Sequence, residues 1–346
     1  MERVKVGIIN VTGYIGAELA RLVYLHPEVE LASVTGRSAA GQELGNVFPH
    51  LSDINCLITA ELGDVDFAFS AMPHKASAEV ILPLLKRGVR VVDISADFRL
   101  KDASEYQRWY DFVHPAPGLL EEAVYGLPEL HRDKISGAQL VANPGCYPTG
   151  AILASAPAVK EGFIYPDIII DSKSGVSGAG RTLNLVTHYS EASDNAFAYS
   201  LDGHRHLPEI TQELEMLNPE LSLEVTFVPH LVPMARGILT SCYARLKEGK
   251  LAEGEKGKEE LRQLYRDFYR DEPFIRILDA SPQTKHTWGS NFCLIHPTID
   301  LRTNRLVVIS CIDNLVKGGA GQAVQNMNLM LGLSEPTGLE ALAIYP

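Results

Sequence analysis

The fold is decided by Val4-Lys5-Val6-Gly7-Ile8-Ile9-Asn10-Val11-Thr12-Gly13-Tyr14-Ile15-Gly16. Val4 to Ile9 reads as a buried strand, and Glu18 to His26 reads as a helix that Pro27 ends. The glycine-bearing turn between them has the placement of a dinucleotide fingerprint. There the backbone must approach a pyrophosphate, and a helix N-terminus offers its N–H groups to an anion. Gly13 and Gly16 fill the last two glycine slots of a G-x-x-G-x-x-G variant, while Asn10 occupies the first. Asparagine tolerates positive φ better than most non-glycine residues, so the turn survives the replacement.

Working outward, apolar runs alternate with helical patterns. Glu30–Thr35, Val65–Met72, Arg90–Ser95 and Gln139–Ala142 read as strands, with a helix over about Lys75–Arg87. Near-continuous apolar strands between helices require a parallel sheet covered on both faces, that is, a doubly wound α/β domain over about residues 1–148. After about residue 165 the strand signals lengthen and alternate: Asp167–Lys173, Leu223–Phe227, Ile238–Arg245 and Ile275–Ala280. Cys293–Leu301 and Arg305–Ile312 flank a hairpin candidate at Arg302-Thr303-Asn304. This pattern predicts an α+β domain with a mainly antiparallel sheet over 149–313. Gly249–Gly257 reads as a charged surface loop before an amphipathic helix, and a last helix covers about Gln322–Leu331.

The 346 residues carry 43 acidic and 31 basic side chains, a net charge of −12, which repels a phosphate backbone and argues against nucleic-acid binding. Five scattered cysteines, with no C-x-x-C and no metal-ligand spacing, argue against a disulfide framework or a zinc site. The N-terminus runs straight into a strand pattern without a signal peptide, and no apolar stretch approaches the ~20 residues of a membrane span. A cytoplasmic setting is expected.

Chemistry concentrates in a few motifs. At Thr35-Gly36-Arg37-Ser38 the second strand ends on a cation and a hydroxyl, where an acidic residue would select NAD; this favours NADP. Asn143-Pro144-Gly145-Cys146-Tyr147-Pro148-Thr149-Gly150 puts Cys146 at the start of a helical run, where the dipole favours a thiolate. Cys56, Cys242, Cys293 and Cys311 read instead as small buried hydrophobes. His204-Arg205-His206-Leu207-Pro208-Glu209 offers imidazoles for proton transfer to and from a thiol adduct; a metal or anion site is the weaker alternative. Ser174–Arg181 is a small-residue loop suited to a ligand, Arg236 begins a strand and suits a carboxylate, Arg99 suits a phosphate, and Asn314 precedes a glycine-rich helix start.

Together NPGCYPT (143–149), SGVSGAGR (174–181), HRHLPEI (204–210), PHLVPMARGI (229–238), GSNFC (289–293) and NLVKGGAGQA (314–323) closely resemble the N-acetyl-γ-glutamyl-phosphate reductases of arginine biosynthesis, within the aspartate-semialdehyde dehydrogenase-like group. The resemblance runs over nearly the whole chain and departs at Asn10, where that family usually has glycine. It implies Cys146 as nucleophile and His206 as acid/base, with His204 as the fallback. It implies cofactor contacts at Thr12, Gly13, Tyr14, Gly16, Arg37, Ser38, Ser177, Gly178 and Asn314; substrate contacts are expected at Arg99, Asn143, Glu209 and Arg236. It also implies NADP as cofactor, a small acyl-phosphate substrate, no metal, a homodimer or homotetramer, and a C-terminal segment over 314–346 whose helix returns to the Rossmann domain. Three rivals remain: a relative acting on aspartyl phosphate, one acting on a carrier-protein-linked aminoadipyl phosphate, and a non-catalytic NADP-binding sensor.

Overall fold

The computed structural model describes residues 3–346. These form two compact units, one comprising residues up to Gly145 with Gly319–Ala341, the other Cys146–Gly318 with Leu342–Pro346. The division falls at Gly145/Cys146 where the sequence suggested 148, and the return begins at Gly319 where it suggested 314. The last five residues rejoin the second unit.

The first unit runs β1 (Val4–Ile9), α1 (Tyr14–Leu25), β2 (Val29–Thr35), α2 (Leu44–Val47), β3 (Ile58–Thr59), β4 (Phe67–Ser70), α3 (Ser77–Lys86), β5 (Arg90–Asp93), α4 (Ala103–Tyr110), α5 (Gly118–Glu122), β6 (Val124–Tyr125), α6 (Pro128–Ser136) and β7 (Leu140–Ala142). Its strands form one sheet in the order β3-β2-β1-β4-β5-β7-β6, and every recorded pairing is parallel. This is the doubly wound arrangement, with ligands expected beyond the carboxyl ends of the strands where the order reverses beside β1. Parallel strands are covered on both faces, so β4 is buried along its whole length.

The second unit contains α7 (Cys146–Lys160), β8 (Ile164–Gly175), α8 (Tyr189–Ala192), β9 (Phe197–Ala198), α9 (Leu207–Leu217), β10 (Glu224–Val232), β11 (Ile238–Leu246), α10 (Gly254–Phe268), β12 (Ile275–Ile277), β13 (Cys293–Asp300) and β14 (Arg305–Ile312). Its sheet has the order β12-β13-β14-β11-β8-β10-β9, and four of its six pairings are antiparallel. The mixed, mainly antiparallel sheet agrees with the sequence reading, and β13 and β14 form the expected hairpin. Helices α7, α9 and α10 pack on it. Ser310 Oγ donates to Gly150 O of α7 at 2.9 Å, which fixes Ser310 on the helix-covered face. Strand alternation then turns Val307 and Ile309 of β14, and Leu239 and Tyr243 of β11, to the opposite face.

One sequence expectation is corrected here. The charged segment Gly249–Gly257, expected as a loop, turns helical at Gly254, where α10 begins, and Glu255 and Lys258 pair at 2.7 Å across its first turn.

The final helix, α11 (Gly321–Leu331), packs within the first unit against α1, α6 and β5. Gln322, Gln325, Asn326 and Asn328 are all fully buried there. Each is hydrogen-bonded: Gln322 Nε2 and Asn326 Nδ2 both donate to Gly126 O at 2.9 Å, and Gln325 Nε2 donates to Glu335 at 2.7 Å. Asn328 Oδ1 meets His26 Nε2 at 2.9 Å. Buried amides are tolerated only on such terms.

A second polar knot lies past β4 and β5. Asp93, fully buried, accepts from Ser77 Oγ at 2.6 Å and Ser95 Oγ at 2.7 Å. Asp97 caps α3 from a distance, accepting the N–H groups of Ser77 at 3.0 Å and Ala78 at 3.1 Å. Burial, with the Asp97 charge adding, pushes the Asp93 carboxyl up to about 6. A carboxyl whose folded pKa exceeds its unfolded value contributes stability at low pH that is lost as pH rises, here between about 4 and 6. Urea unfolding at pH 4.5 and pH 7 is therefore expected to give Asp93→Asn a flatter pH dependence than the parent, by roughly 2 kcal/mol. Parallel curves for the two proteins would contradict this.

Candidate active site

In the second unit Cys146 is the first residue of the fifteen-residue α7 and is half-buried, while Cys242, Cys293 and Cys311 are fully buried. Cys56, also read as a buried hydrophobe, is only partly covered. The sulfur of Cys146 therefore stands where the N–H groups of a helix start favour negative charge. Behind it the chain after β14 passes closely: a Cβ built on Gly318 would lie 3.0 Å from Cys146 Cβ, so a larger residue there would push on the thiol's residue.

The residue after the thiol was not singled out from sequence. Tyr147 is buried; its hydroxyl donates to His230 O at 3.1 Å and receives a hydrogen bond from Tyr199 Oη at 3.0 Å. Burial pushes both phenols up, Tyr199 to about 12, so both remain neutral donors. The Tyr147 ring stands edge-on to His204 and His206, with centroids at 5.8 and 5.9 Å. The residue next to Cys146 in the chain, Tyr147, thus sits in one ring cluster with both histidines. Only the adjacency of Tyr147 to Cys146 in NPGCYPT pointed to it.

The two histidines differ. His204 is buried against Tyr147, Tyr199 and Phe227, and its Nδ1 accepts the His206 N–H at 3.1 Å. Burial, with Arg205 adding, pushes His204 down to about 4, so it stays neutral at physiological pH. His206, only half-buried, occupies the N-cap position of α9 without a side-chain capping bond.

Three loops converge in the same unit. Asn314 Nδ2 donates to Ser177 Oγ at 2.9 Å, and Asn314 Oδ1 accepts the Gly237 N–H at 2.8 Å. Gly178 lies beside the Ser174 hydroxyl and the Asn314 amide. The N–H groups of Gly175 and Val176 each donate at 2.9 Å, to Gly237 O and Met234 O respectively. Arg236 does not begin a strand; it stands in the turn between β10 and β11, and its Nη1 donates to Asp313 Oδ2 at 3.3 Å.

The first unit carries the other expected residues. Asn10 adopts φ +64°, the left-handed conformation the turn demands, and its Nδ2 donates to Ala71 O at 2.9 Å. Gly13 is the N-cap of α1, with no side-chain cap, and Tyr14 opens the helix. Helix α1 thus begins four residues earlier than the periodicity suggested. A Cβ on Gly16 would meet the Val11 backbone at 2.6 Å, so Gly16 lets helix and turn close on each other. Thr12 lies against Gly36, where a Cβ would come 2.8 Å from its methyl. Arg37 and Ser38 line a cavity of about 670 Å³ with Asn10, Gly36, Glu61 and Met72. Pro83 and Leu84 of α3 add an apolar wall that sequence reading missed.

Three expected substrate contacts are buried in this structure. Arg99 is buried and donates to the carbonyls of Asn143 and Ile94, both at 2.8 Å. Asn143 is fully buried; its Nδ2 donates to Gly319 O at 3.2 Å and its Oδ1 accepts from Asn326 Nδ2 at 3.0 Å. Glu209 is fully buried in the first turn of α9. Through these bonds Arg99 and Asn143 brace the end of β7.

Among the described residues no helix is long and apolar enough to cross a membrane. Residues 5–138 match the family model described as semialdehyde dehydrogenase, NAD binding domain, and residues 146–314 match that described as semialdehyde dehydrogenase, dimerisation domain. Among solved structures, the chain resembles aspartate semialdehyde dehydrogenase II of Vibrio cholerae with a TM-score of 0.72 at 16% identity, covering 96% of this chain and 99% of the other. The Candida albicans aspartate semialdehyde dehydrogenase with NADP gives 0.70 at 15%, covering 95% and 99%. At such identities these likenesses establish the fold. Sequence relatives are much nearer. N-acetyl-gamma-glutamyl-phosphate reductase of Dehalococcoides mccartyi is 57% identical over the full length of both chains. That of Heliobacterium modesticaldum is 49% identical, covering 99% of this chain and all of its own. With this identity spread over both units, the chain belongs to the N-acetyl-γ-glutamyl-phosphate reductase family of oxidoreductases.

Proposed function

We propose that the chain reduces N-acetyl-L-glutamyl 5-phosphate to N-acetyl-L-glutamate 5-semialdehyde and phosphate, a step of arginine biosynthesis, with Cys146 as nucleophile. The observation that carries this reading is the half-buried Cys146 at the start of α7, set beside the cluster of Tyr147, His204 and His206. The sulfur attacks the acyl-phosphate carbon, and N–H groups at the helix start support the oxyanion. Phosphate leaves and a thioester on Cys146 remains. NADPH, when bound, supplies the hydride that reduces it. His206 then moves the proton as the resulting adduct collapses to the aldehyde and frees the thiolate. His204, neutral and occupied at Nδ1, orients the His206 backbone and is the poorer proton carrier.

The cofactor reading rests on the first unit. Asn10, Thr12 and Gly13 form the turn and Tyr14 and Gly16 the first turn of α1 that would meet a pyrophosphate, and the Arg37 cation with Ser38 in the cavity wall suits a 2′-phosphate. Ser177, Gly178 and Asn314 are proposed to meet the nicotinamide end, and Arg236 an anionic group of the substrate. The protein acts in the cytoplasm and assembles as a homodimer or homotetramer. The helix-free face of the second sheet, bearing Leu239, Tyr243, Val307 and Ile309, supports a second copy of the chain as its cover.

Cys146→Ser is expected to lower phosphate-dependent turnover by on the order of 10³-fold or more. His206→Ala is expected to cost about 10²–10⁴-fold, the usual span for lost acid–base catalysis, and His204→Ala less. Near-parental rates for the serine variant would remove Cys146 from the mechanism, and a larger loss at His204 would exchange the two histidines. Run backward, with semialdehyde and phosphate, the reaction should reduce NADP in clear preference to NAD, followed by nicotinamide absorbance; equal rates would discard the role given to Arg37. In light scattering, Ile309→Glu should shift the protein to a smaller assembly, and an unchanged mass would clear that face of any role in association.

A further inference from the structure

We propose that Asp313 is a positioning residue that holds the Arg236 guanidinium in the orientation in which it receives the substrate's anionic group. The inference rests on the reading of Arg236 as a substrate contact.

Asp313 follows β14 directly and is fully buried. Its Oδ2 accepts the Gly289 N–H at 2.7 Å and Arg236 Nη1 at 3.3 Å. Its Oδ1 accepts the N–H groups of Leu315 at 2.8 Å and Val316 at 3.3 Å. Four donors around one buried carboxylate leave it little freedom, and charge-assisted bonds of this kind are the strong ones. The carboxylate is therefore a fixed point to which Arg236 is tethered.

Arg236 needs a tether. It stands on a turn, and its side chain is 32% exposed. The backbone around it is held on both sides, since Trp288 Nε1 donates to Arg236 O at 3.1 Å and the Gly237 N–H donates to Asn314 Oδ1 at 2.8 Å. That leaves the long side chain as the remaining freedom, and the directed bond to Oδ2 selects one orientation of the planar guanidinium. A neighbouring carboxylate also offsets part of the arginine charge. The arrangement thus gives up attraction for any anion in exchange for a defined direction of approach, which suits a carboxylate or phosphoryl group that must be held while its neighbour reacts.

Asp313 also touches the nucleophile's surroundings, but through its main chain: its carbonyl accepts the Gly318 N–H at 2.9 Å, and Gly318 backs Cys146. The two links are chemically separable. Asp313→Asn keeps the carbonyl and an Oδ1 acceptor, yet its amide group would point N–H bonds at the Gly289 and Arg236 donors.

Steady-state kinetics on the whole enzyme test the assignment. Asp313→Asn is expected to raise KM for the acyl phosphate about tenfold or more, with kcat within about threefold. Alkylation of Cys146 should proceed at the parental rate, a readout that general loosening of the unit would move. Arg236→Ala should raise KM similarly, and the double variant should add little to either single change. A parental KM for Asp313→Asn beside a raised KM for Arg236→Ala overturns the role of Asp313, as do two effects that multiply. A parental KM for Arg236→Ala overturns the substrate reading of Arg236 itself. If Asp313→Asn does not fold, Arg236→Lys carries the same test, since it keeps the charge but loses the directed fork. KM should then rise about fivefold, and an unchanged KM rejects the proposal.

Discussion

A thiol at the first residue of a long helix is the constraint around which the second unit is built. The start of α7 can favour an anionic sulfur only if the surrounding chain leaves it reachable while keeping bulk away. Gly318 meets that demand on one side, by passing Cys146 without a side chain. Tyr147 meets it on the other, joining the helix start to His204 and His206 through ring contacts while its hydroxyl is satisfied by His230 O and Tyr199. The turn bearing Arg236, the loop bearing Ser177 and the segment after β14 are each tied to one another by backbone or amide hydrogen bonds, so the neighbourhood is a network and not a set of independent loops.

The division of labour follows from sheet physics. An all-parallel sheet covered on both faces gives the first unit its crevice at the strand ends beside β1, where Asn10, Gly36 and Arg37 line the cavity. A mixed sheet covered by helices on one face gives the second unit a platform for α7, with small polar groups such as Ser310 and Thr240 beneath Gly150 allowing the helix to lie close.

Much of this was legible in the sequence, for identifiable reasons. β1, β11 and β14 announce themselves by apolar runs of the right period, and Asn10 was readable because few residues other than glycine accept its backbone conformation. The cysteine was readable from its punctuation by glycine and prolines. What escaped has equally physical causes. β3 and β6 are two residues each and carry no periodic signal. The burial of Arg99, Asn143 and Glu209 is invisible because it depends on parts of the chain far away in sequence: Asn143 meets Gly319 and Asn326. Asp313 looks like any aspartate at a strand end until Gly289 and Arg236 are seen to share it.

The placement of α11 carries a consequence for how the molecule is made. The first unit's sheet strands end at Ala142, yet the helix that packs against α1, α6 and β5 is Gly321–Leu331, separated from them by the long Cys146–Gly318 stretch of the second unit. During synthesis at about 5–20 residues per second, the nascent first unit must wait roughly ten seconds or more with an apolar groove and the Gly126 carbonyl unsealed. A ribosome stalled anywhere within the second unit would leave that groove facing the chaperone machinery.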